Sequence, residues 1–261
     1  MLGEPRLMEQ MTVREVREAL ADNKTVVIPV GCLEQHGYHL PLNTDTINAC
    51  EIAKAASQKT GCFVAAPITY SFSGGTLPGT VDLTPQVFSL MLQDICQSFY
   101  GQGFINIVIL LGHAGTENTK AAYDAADMFL RRSAKDAAVA VVPFFELSPL
   151  ILEEVKKGDF HAGYVETSLM LHWYPELVRS EIIMDEPQLA ELMRTDQDAY
   201  QVVSKAVENQ YVIPYITQKP EIQVGVMGYP QRATAEFGKQ VFQELVENFS
   251  ALIHQLNADR K

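Results

Sequence analysis

Tryptophan occurs once and cysteine four times in 261 residues. The cysteines (Cys32, Cys50, Cys62 and Cys96) show no CxxC or other metal spacing and sit in apolar stretches. That argues against a zinc-finger or disulfide scaffold and reads as buried free thiols of a reducing compartment. Positive charge is also scarce: 20 Lys and Arg stand against 32 Asp and Glu, a net charge of −12 with a pI near 4.9. This balance argues against a nucleic-acid or anionic-membrane partner. It favours a small-molecule substrate that is cationic, neutral or metal-bound. No hydrophobic run approaches membrane-spanning length and no N-terminal apolar leader appears, so no membrane partner and a cytoplasmic location are expected. No GxGxxG follows the first strand, which argues against a dinucleotide-binding oxidoreductase. Internal repeats, low-complexity segments and inter-domain linkers are missing too, so residues 1–261 read as a single domain. At 47% hydrophobic and 20% charged, the chain has enough apolar residues for a large core.

What is present centres on one stretch, from Thr25 to Asp45. It begins as a continuous apolar run, Thr25 to Gly31, the pattern of a strand covered on both faces. It then carries Glu34, His36, His39 and Asp45 within a dozen positions. Glu34 and His36 are two apart, so an extended backbone points both to one side. Asp45 falls where a helical pattern starts, and a turn folds it back toward them. Taken singly, each has an ordinary explanation: a hydrogen-bonded loop histidine, or a helix N-cap for Asp45. Four such groups in one loop are a ligand set for a borderline or hard divalent cation.

The rest of the chain alternates. Met11 to Leu20 is predicted helical, with Thr12 and Glu15 spaced as a capping box; residues 1–10 read as a loose arm. Helix follows Asp45, a strand spans Cys62 to Ile68, and Ser71 to Thr80 is a glycine-rich loop. That loop has no Walker lysine, so a pocket wall is expected there rather than a phosphate cradle. Thr84-Pro85 opens a helix to about Tyr100. A buried strand, Ile105 to Leu111, ends at Gly112-His113-Ala-Gly115-Thr-Glu117-Asn118. Helix, strand and a short helix lead to His161-Ala-Gly163-Tyr-Val-Glu166-Thr-Ser168, which feeds another helix. Residues 184–210 are expected as a helical excursion, a lid or subunit contact. Val224 to Pro230 reads as a last strand and turn, and Ala233 to Leu256 as a closing helix. Alternation of this kind gives a parallel sheet, with ligands beyond the carboxyl ends of its strands. The Glu34/His36 loop and His113 both leave such ends.

These motifs resemble the creatininase (creatinine amidohydrolase) family. The resemblance rests on Gly31-Cys-Leu-Glu34-Gln-His36-Gly-Tyr-His39-Leu-Pro-Leu, Thr44-Asp45, Gly112-His113, His161-Ala-Gly163 and Glu166-Thr-Ser168. Pro78-Gly79-Thr80 and Gly225-Val-Met-Gly228-Tyr-Pro230 followed by Ala235-Glu236 belong to it too. It extends from about residue 10 to 250. It implies one three-layer α/β/α domain with a mostly parallel central sheet, usually assembled as a homohexamer. It implies two divalent metal ions, zinc or manganese, and hydrolysis of carbon–nitrogen bonds other than peptide bonds, often in cyclic amides. Carried over by resemblance, Glu34 and His113 hold one metal, His36 the other, and Asp45 bridges both. His161 matches a histidine near the reacting centre.

The pattern departs at the fifth ligand. Three residues separate His113 from Glu117, where creatininase has one between its histidine and its ligand glutamate. Other members carry a glutamate directly after His-Ala-Gly, where this chain has Tyr164. Glu117 is the expected ligand, through a short insertion, with Glu166 as the alternative. The tryptophans that wall the creatininase pocket are not evident; Trp173 sits in an apolar helix. The expected mechanism has a metal-bridging hydroxide attack the carbonyl while His161 passes a proton to the leaving nitrogen. His39 orients a ligand, and Pro78, Gly79, Thr80 and Tyr164 are expected at the substrate. The alternatives are a metal-dependent hydrolase opening a ring ketone, lactone or formamide, and a non-catalytic metal binder.

Overall fold

The computed structural model describes residues 3–133, 136–179, 181–182, 187–196 and 198–258. The elements, in chain order, begin with β1 (Arg6–Leu7), α1 (Val13–Leu20), β2 (Thr25–Val30) and α2 (Thr44–Thr60). Next come β3 (Phe63–Val64), α3 (Pro85–Gly101), β4 (Asn106–Leu111), α4 (Thr116–Ser133), β5 (Ala138–Pro143), α5 (Pro149–Lys156) and α6 (Tyr164–Trp173). A short α7 (Pro187–Met193), strands β6 (Gln201–Ser204) and β7 (Tyr215–Gln218), and α8 (Ala235–Ala258) complete the chain.

The local signals act as their chemistry dictates. Thr12 Oγ1 accepts from Glu15 N while Glu15 Oε2 accepts from Thr12 N, so the capping box satisfies donors at the start of α1. Thr84 caps α3 and Pro85 occupies its first turn, where the missing N–H costs nothing. The N-terminal arm differs from expectation. Arg6–Leu7 pairs in parallel with β3, and Arg6 N and Nη1 donate to Ser57 Oγ and Gly61 O. Hydrogen bonds rather than apolar pattern hold this edge, so the sequence carries little trace of it.

Five parallel strands form the main sheet in the order β1-β3-β2-β4-β5. Its faces are buried by alternate residues. Val27, Val108, Leu110 and Val142 pack with α2, α5, α6 and α8. Val26, Ile28, Val30, Ile107, Ile109 and Leu111 pack with α1, α3 and α4. This double burial is why β2 and β4 read as unbroken apolar runs, and it makes the three layers. From β2 the chain builds outward to β3, then crosses back to β4 on the other side. The direction of winding therefore reverses between β2 and β4, where open α/β sheets form their ligand crevice.

The excursion after α6 is not one helix. Positions 184–186 and 197 lie outside the described residues. The remainder is the short α7 followed by an antiparallel hairpin, with Gln201 opposite Gln218 and Ser204 opposite Tyr215. Val202, Val203, Tyr215, Ile216 and Thr217 are β-branched or aromatic and favour strands, which outweighs the helical spacing of the acidic residues before them. The last strand and turn expected over 224–230 contributes one bridge, between His161 and Met227. No helix among the described residues is long and apolar enough to cross a membrane.

Candidate metal centre

Two glycines let the first helix of the crevice sit down on the sheet. Gly31 follows β2, and a Cβ on it would lie 2.2 Å from Thr46 Oγ1. Gly112 follows β4, and a Cβ there would lie 2.0 Å from the Asp45 carbonyl oxygen. With neither Cβ present, the first turn of α2 wedges between the two strand ends and carries Asp45 into the crevice. The loop from β2 folds back through a Glu34 N to Leu42 O hydrogen bond of 2.9 Å, which sets Glu34 and His36 beside Asp45. His113 arrives from β4. Its backbone is held by the buried Asn118, whose Nδ2 donates to His113 O at 3.0 Å while its Oδ1 accepts from Phe72 N.

The fourth contribution comes from α6. Ala162, before this helix, has φ +50°, the one positive φ outside glycine among the described residues, a conformation of higher energy than its neighbours'. Ala162 N donates to Glu166 Oε2 at 2.6 Å, so the carboxylate folds back over its own helix start and turns Oε1 toward His36. Asp159 braces the same place. Its carboxylate accepts from Tyr164 N, Val165 N and Tyr229 N. Gly163 and Gly228 make room for it: a Cβ on either would come within 2.5 Å of Asp159 Oδ1. On the far side, a Cβ on Gly238 would lie 1.9 Å from Ser168 O, so α8 packs closely on α6.

Five side chains converge in two groups that share Asp45. Glu34, Asp45 and His113 form one; His36, Asp45 and Glu166 form the other. A third such group, Glu34, His36 and His161, overlaps both. Asp45 divides its oxygens: Oδ1 is 3.2 Å from His36 Nε2 and Oδ2 is 3.4 Å from His113 Nδ1. Glu34 Oε2 is 2.9 Å from His113 Nδ1, and Glu166 Oε1 is 3.7 Å from His36 Nε2. All but Glu166, which is half-buried, are buried. Yet Glu34 Oε2, His36 Nε2 and Asp45 Oδ2 make no directed hydrogen bond. Buried polar atoms normally find partners. Atoms that crowd together without hydrogen-bond alignment, their lone pairs aimed at shared space, suit a divalent cation in each group, and the carboxylate–imidazole set matches zinc or manganese. His36 Nδ1 lies 3.1 Å from Glu34 O. A carbonyl only accepts, so Nδ1 carries a proton, which leaves Nε2 as the nitrogen that faces the group.

The charges are strongly interdependent. Burial alone would lower the pKa of His36, but the Asp45 and Glu166 carboxylates outweigh it and hold the imidazole well above its ordinary value. For His113 burial likewise opposes the charge, and Glu34 and Asp45 override it. Burial would raise Asp45, but His36 and His113 keep it well below the usual carboxylate range.

Of the remaining expected residues, His161 alone lines the crevice beside this cluster. The His161 ring lies 4.4 Å from that of His36, and its Nε2 is 2.7 Å from Gln35 O. It lines a cavity of about 190 Å³ together with Glu34, Asp45, His113 and Glu166; Phe144, Phe145, Phe160 and Met227 make its apolar wall. His39 does not line that cavity. It is fully buried with Nε2 3.0 Å from Thr167 Oγ1, beside Glu166, and burial pushes its pKa down to about 4. Glu117 stands apart from both groups. As the second residue of α4 it turns toward the excursion, where Gln201 Nε2 donates to its Oε1 at 3.3 Å. Pro78, Gly79 and Thr80 do not line the cavity either. Thr80 Oγ1 accepts from Gln35 N and donates to Gln35 Oε1, so the loop supports the residue that holds His161. Tyr164 points away, stacked on Phe237 at 4.2 Å beneath the Arg232 guanidinium. Cys32 is a core thiol, pushed up to about 11 by burial.

Sequence reasoning passes over Asp159, Gln35 and Asn118. Asp159 has one local signal: an acidic residue shortly before a helix whose N-cap position is a glycine and so cannot cap itself.

Comparison with known proteins agrees with this fold. The family model Creatininase, described as creatinine amidohydrolase, matches residues 9–253. The chain is 32% identical over 246 residues to the "Mycofactocin precursor peptide peptidase" of Mycolicibacterium smegmatis, covering 90% of this chain and 86% of that protein. It is 30% identical over 194 residues to the "3-dehydro-scyllo-inosose hydrolase" of Thermotoga maritima, covering 69% of this chain and 60% of that protein. Among solved structures, one titled "Creatininase Mn" superposes with a TM-score of 0.78 at 22% identity, covering 97% of this chain and 98% of the other.

Proposed function

The chain belongs to the creatininase family, and from that premise we propose that it is a two-metal hydrolase that cleaves a carbon–nitrogen bond in a small, cyclic amide. One observation carries the reading: buried carboxylate and imidazole atoms of Glu34, His36, Asp45 and His113 meet without hydrogen-bond alignment, in two groups joined by Asp45. Glu34, Asp45 and His113 would hold one divalent ion, and His36, Asp45 and Glu166 the other, zinc or manganese in each. Glu166 would take the fifth place because it turns an oxygen to His36, whereas Glu117 is engaged by Gln201. Bound there, the pair supplies Lewis-acid polarisation of the carbonyl and makes water more acidic.

The protein's own residues do the rest. His161 donates through Nε2 to the Gln35 carbonyl, so its other nitrogen, Nδ1, keeps a lone pair. It takes a proton from the attacking water and delivers it to the leaving nitrogen, a shuttle suited to imidazole. Gln35 and Thr80 hold the ring in the tautomer this needs. The Phe144, Phe145 and Phe160 wall seats the non-reacting part of the substrate and excludes water from it.

A second reading, opening of a ring ketone, is favoured by the likeness to the Thermotoga hydrolase; the mycobacterial relative extends the carbon–nitrogen reading to a peptide amide. Metal analysis and a substrate panel separate them. The panel holds creatinine and other cyclic amides, short peptides and cyclic ketones, each with and without chelator. Two metal equivalents and chelator-sensitive release of a ring-opened amide are expected. Protein without bound metal, or turnover indifferent to chelator, would overturn the proposal.

A further inference from the structure

The excursion forms part of the cavity wall. Asp198, Tyr200 and Gln218 line it together with His113 and Glu34. Three polar ties hold it there: Thr116 Oγ1 donates to Asp198 Oδ1 at 3.1 Å, Thr76 N to Gln218 Oε1 at 2.7 Å, and Gln201 Nε2 to Glu117 Oε1 at 3.3 Å. Across the hairpin, Lys219 N donates to Tyr200 O at 2.9 Å and fixes the backbone that carries the ring.

Gln201 Nε2 also lies 2.9 Å from Tyr200 Oη. The Glu117 carboxylate can only accept, so it settles which face of the Gln201 amide points inward: the NH2 group meets both Glu117 and Tyr200. Tyr200 Oη is thereby an acceptor toward Gln201. Its own hydrogen remains available, and among the described residues no acceptor takes it. The phenol stands within electrostatic reach of His113 and Glu117, and burial pushes its pKa up to about 12. It therefore keeps its proton wherever the metal ligands are ionised.

We propose that the Tyr200 hydroxyl donates a hydrogen bond to the carbonyl oxygen of the bound substrate, in an orientation set by Gln201 and Glu117. The inference deepens the hydrolase reading and rests on it. Such a donor would meet the negative charge that develops as the carbonyl is attacked; Tyr200 lines the cavity with His113, while His161 handles protons beside His36. Tyr200 touches substrate; Gln201 and Glu117 are positioning residues. Glu117, off the metals, thus acts through an amide on a phenol.

The test uses zinc-loaded full-length protein with acetohydroxamate, a carbonyl ligand for metal centres, as the probe. Its Kd is measured by calorimetry beside zinc content for wild type, Tyr200→Phe and Glu117→Gln. Tyr200→Phe is expected to keep both zinc equivalents and to weaken the probe about tenfold, one hydrogen bond's worth. Glu117→Gln is expected to keep both zincs and to weaken the probe by a smaller factor. Its amide no longer dictates how Gln201 faces. An unchanged Kd in Tyr200→Phe with zinc retained overturns the assignment of Tyr200. An unchanged Kd in Glu117→Gln overturns the positioning chain. Wild-type protein that takes up no zinc defeats the hydrolase reading itself, an outcome distinct from the other two.

Discussion

The Cβ that Gly112 lacks would stand 2.0 Å from the carbonyl oxygen of Asp45. The end of β4 and the first turn of α2 are therefore in backbone contact, and the bridging carboxylate owes its position to that contact. Gly112→Ala forces the helix start outward. Overpacking of this type costs roughly 1–3 kcal/mol, and each kcal/mol lowers Tm by about 2–4 °C in a chain of this size. Thermal melts should show that loss, and zinc occupancy should fall with it. A variant with unaltered Tm and full zinc content would contradict the wedge.

The two groups make separable demands. Asp45→Asn keeps the shape of the side chain but removes the charge from both, so both metal equivalents should be lost. Glu166→Gln touches only the His36 group and should lose one. Glu117→Gln should lose neither. Metal counts on the purified variants decide among them, and a loss of metal in Glu117→Gln would move the fifth ligand back to α4.

His161→Asn retains a polar group of similar reach but no titratable nitrogen. The expected result is retention of both metals with kcat lowered roughly 10²–10⁴-fold, the usual contribution of general acid–base catalysis. The loss should be largest for substrates with poor leaving nitrogens, since those depend most on a delivered proton. A uniform small loss across leaving groups would assign the ring a packing role beside His36.

Much of this arrangement is legible in the sequence. Glu34, His36, Asp45 and His113 announce themselves because polar groups at the ends of apolar runs have few other uses, and β2 and β4 are marked by unbroken hydrophobicity. Glu166 and Glu117 cannot be ranked from sequence. Each lies in the first turn of a helix, where the dipole favours any carboxylate, and only the strained Ala162 turn brings one of them inward. Asp159 and Gln35 act through backbone N–H and C=O groups, whose partners no residue pattern reveals. The hairpin is hidden for another reason. Its strands are two-sided and short, and acidic helix formers precede them.

Metal uptake should release protons. With no cation bound, the neighbouring carboxylates hold His36 and His113 well above the ordinary histidine value, so both imidazoles are charged at neutral pH. A metal accepts only the neutral ring. Binding two zinc ions to stripped protein near pH 7 should therefore expel roughly two protons from these residues. Apparent affinity should climb as pH rises toward their raised pKa values and level off above them. Calorimetry in buffers of different ionisation enthalpy counts the protons. Proton-neutral binding at pH 7 would mean the histidines are not the ligands.

The excursion carries one more consequence. Tyr211 is 82% exposed, Ile213 85% and Tyr215 70%, close together along the hairpin. Val203, Val207 and Ile216 are exposed in the same segment. Apolar surface gathered in this way suits an interface. Burying it against further copies of the chain is expected, in line with the assembly the family resemblance implies. Light scattering behind a sizing column should then give a mass that is a multiple of 29.0 kDa. Replacing Tyr211, Ile213 and Tyr215 together with Ser should shift it toward one chain while leaving zinc content intact. Tyr200 sits on the same hairpin as these residues, so dissociation should also loosen the cavity wall, raising KM more than it lowers kcat. A monomeric wild-type protein would contradict self-association through this patch.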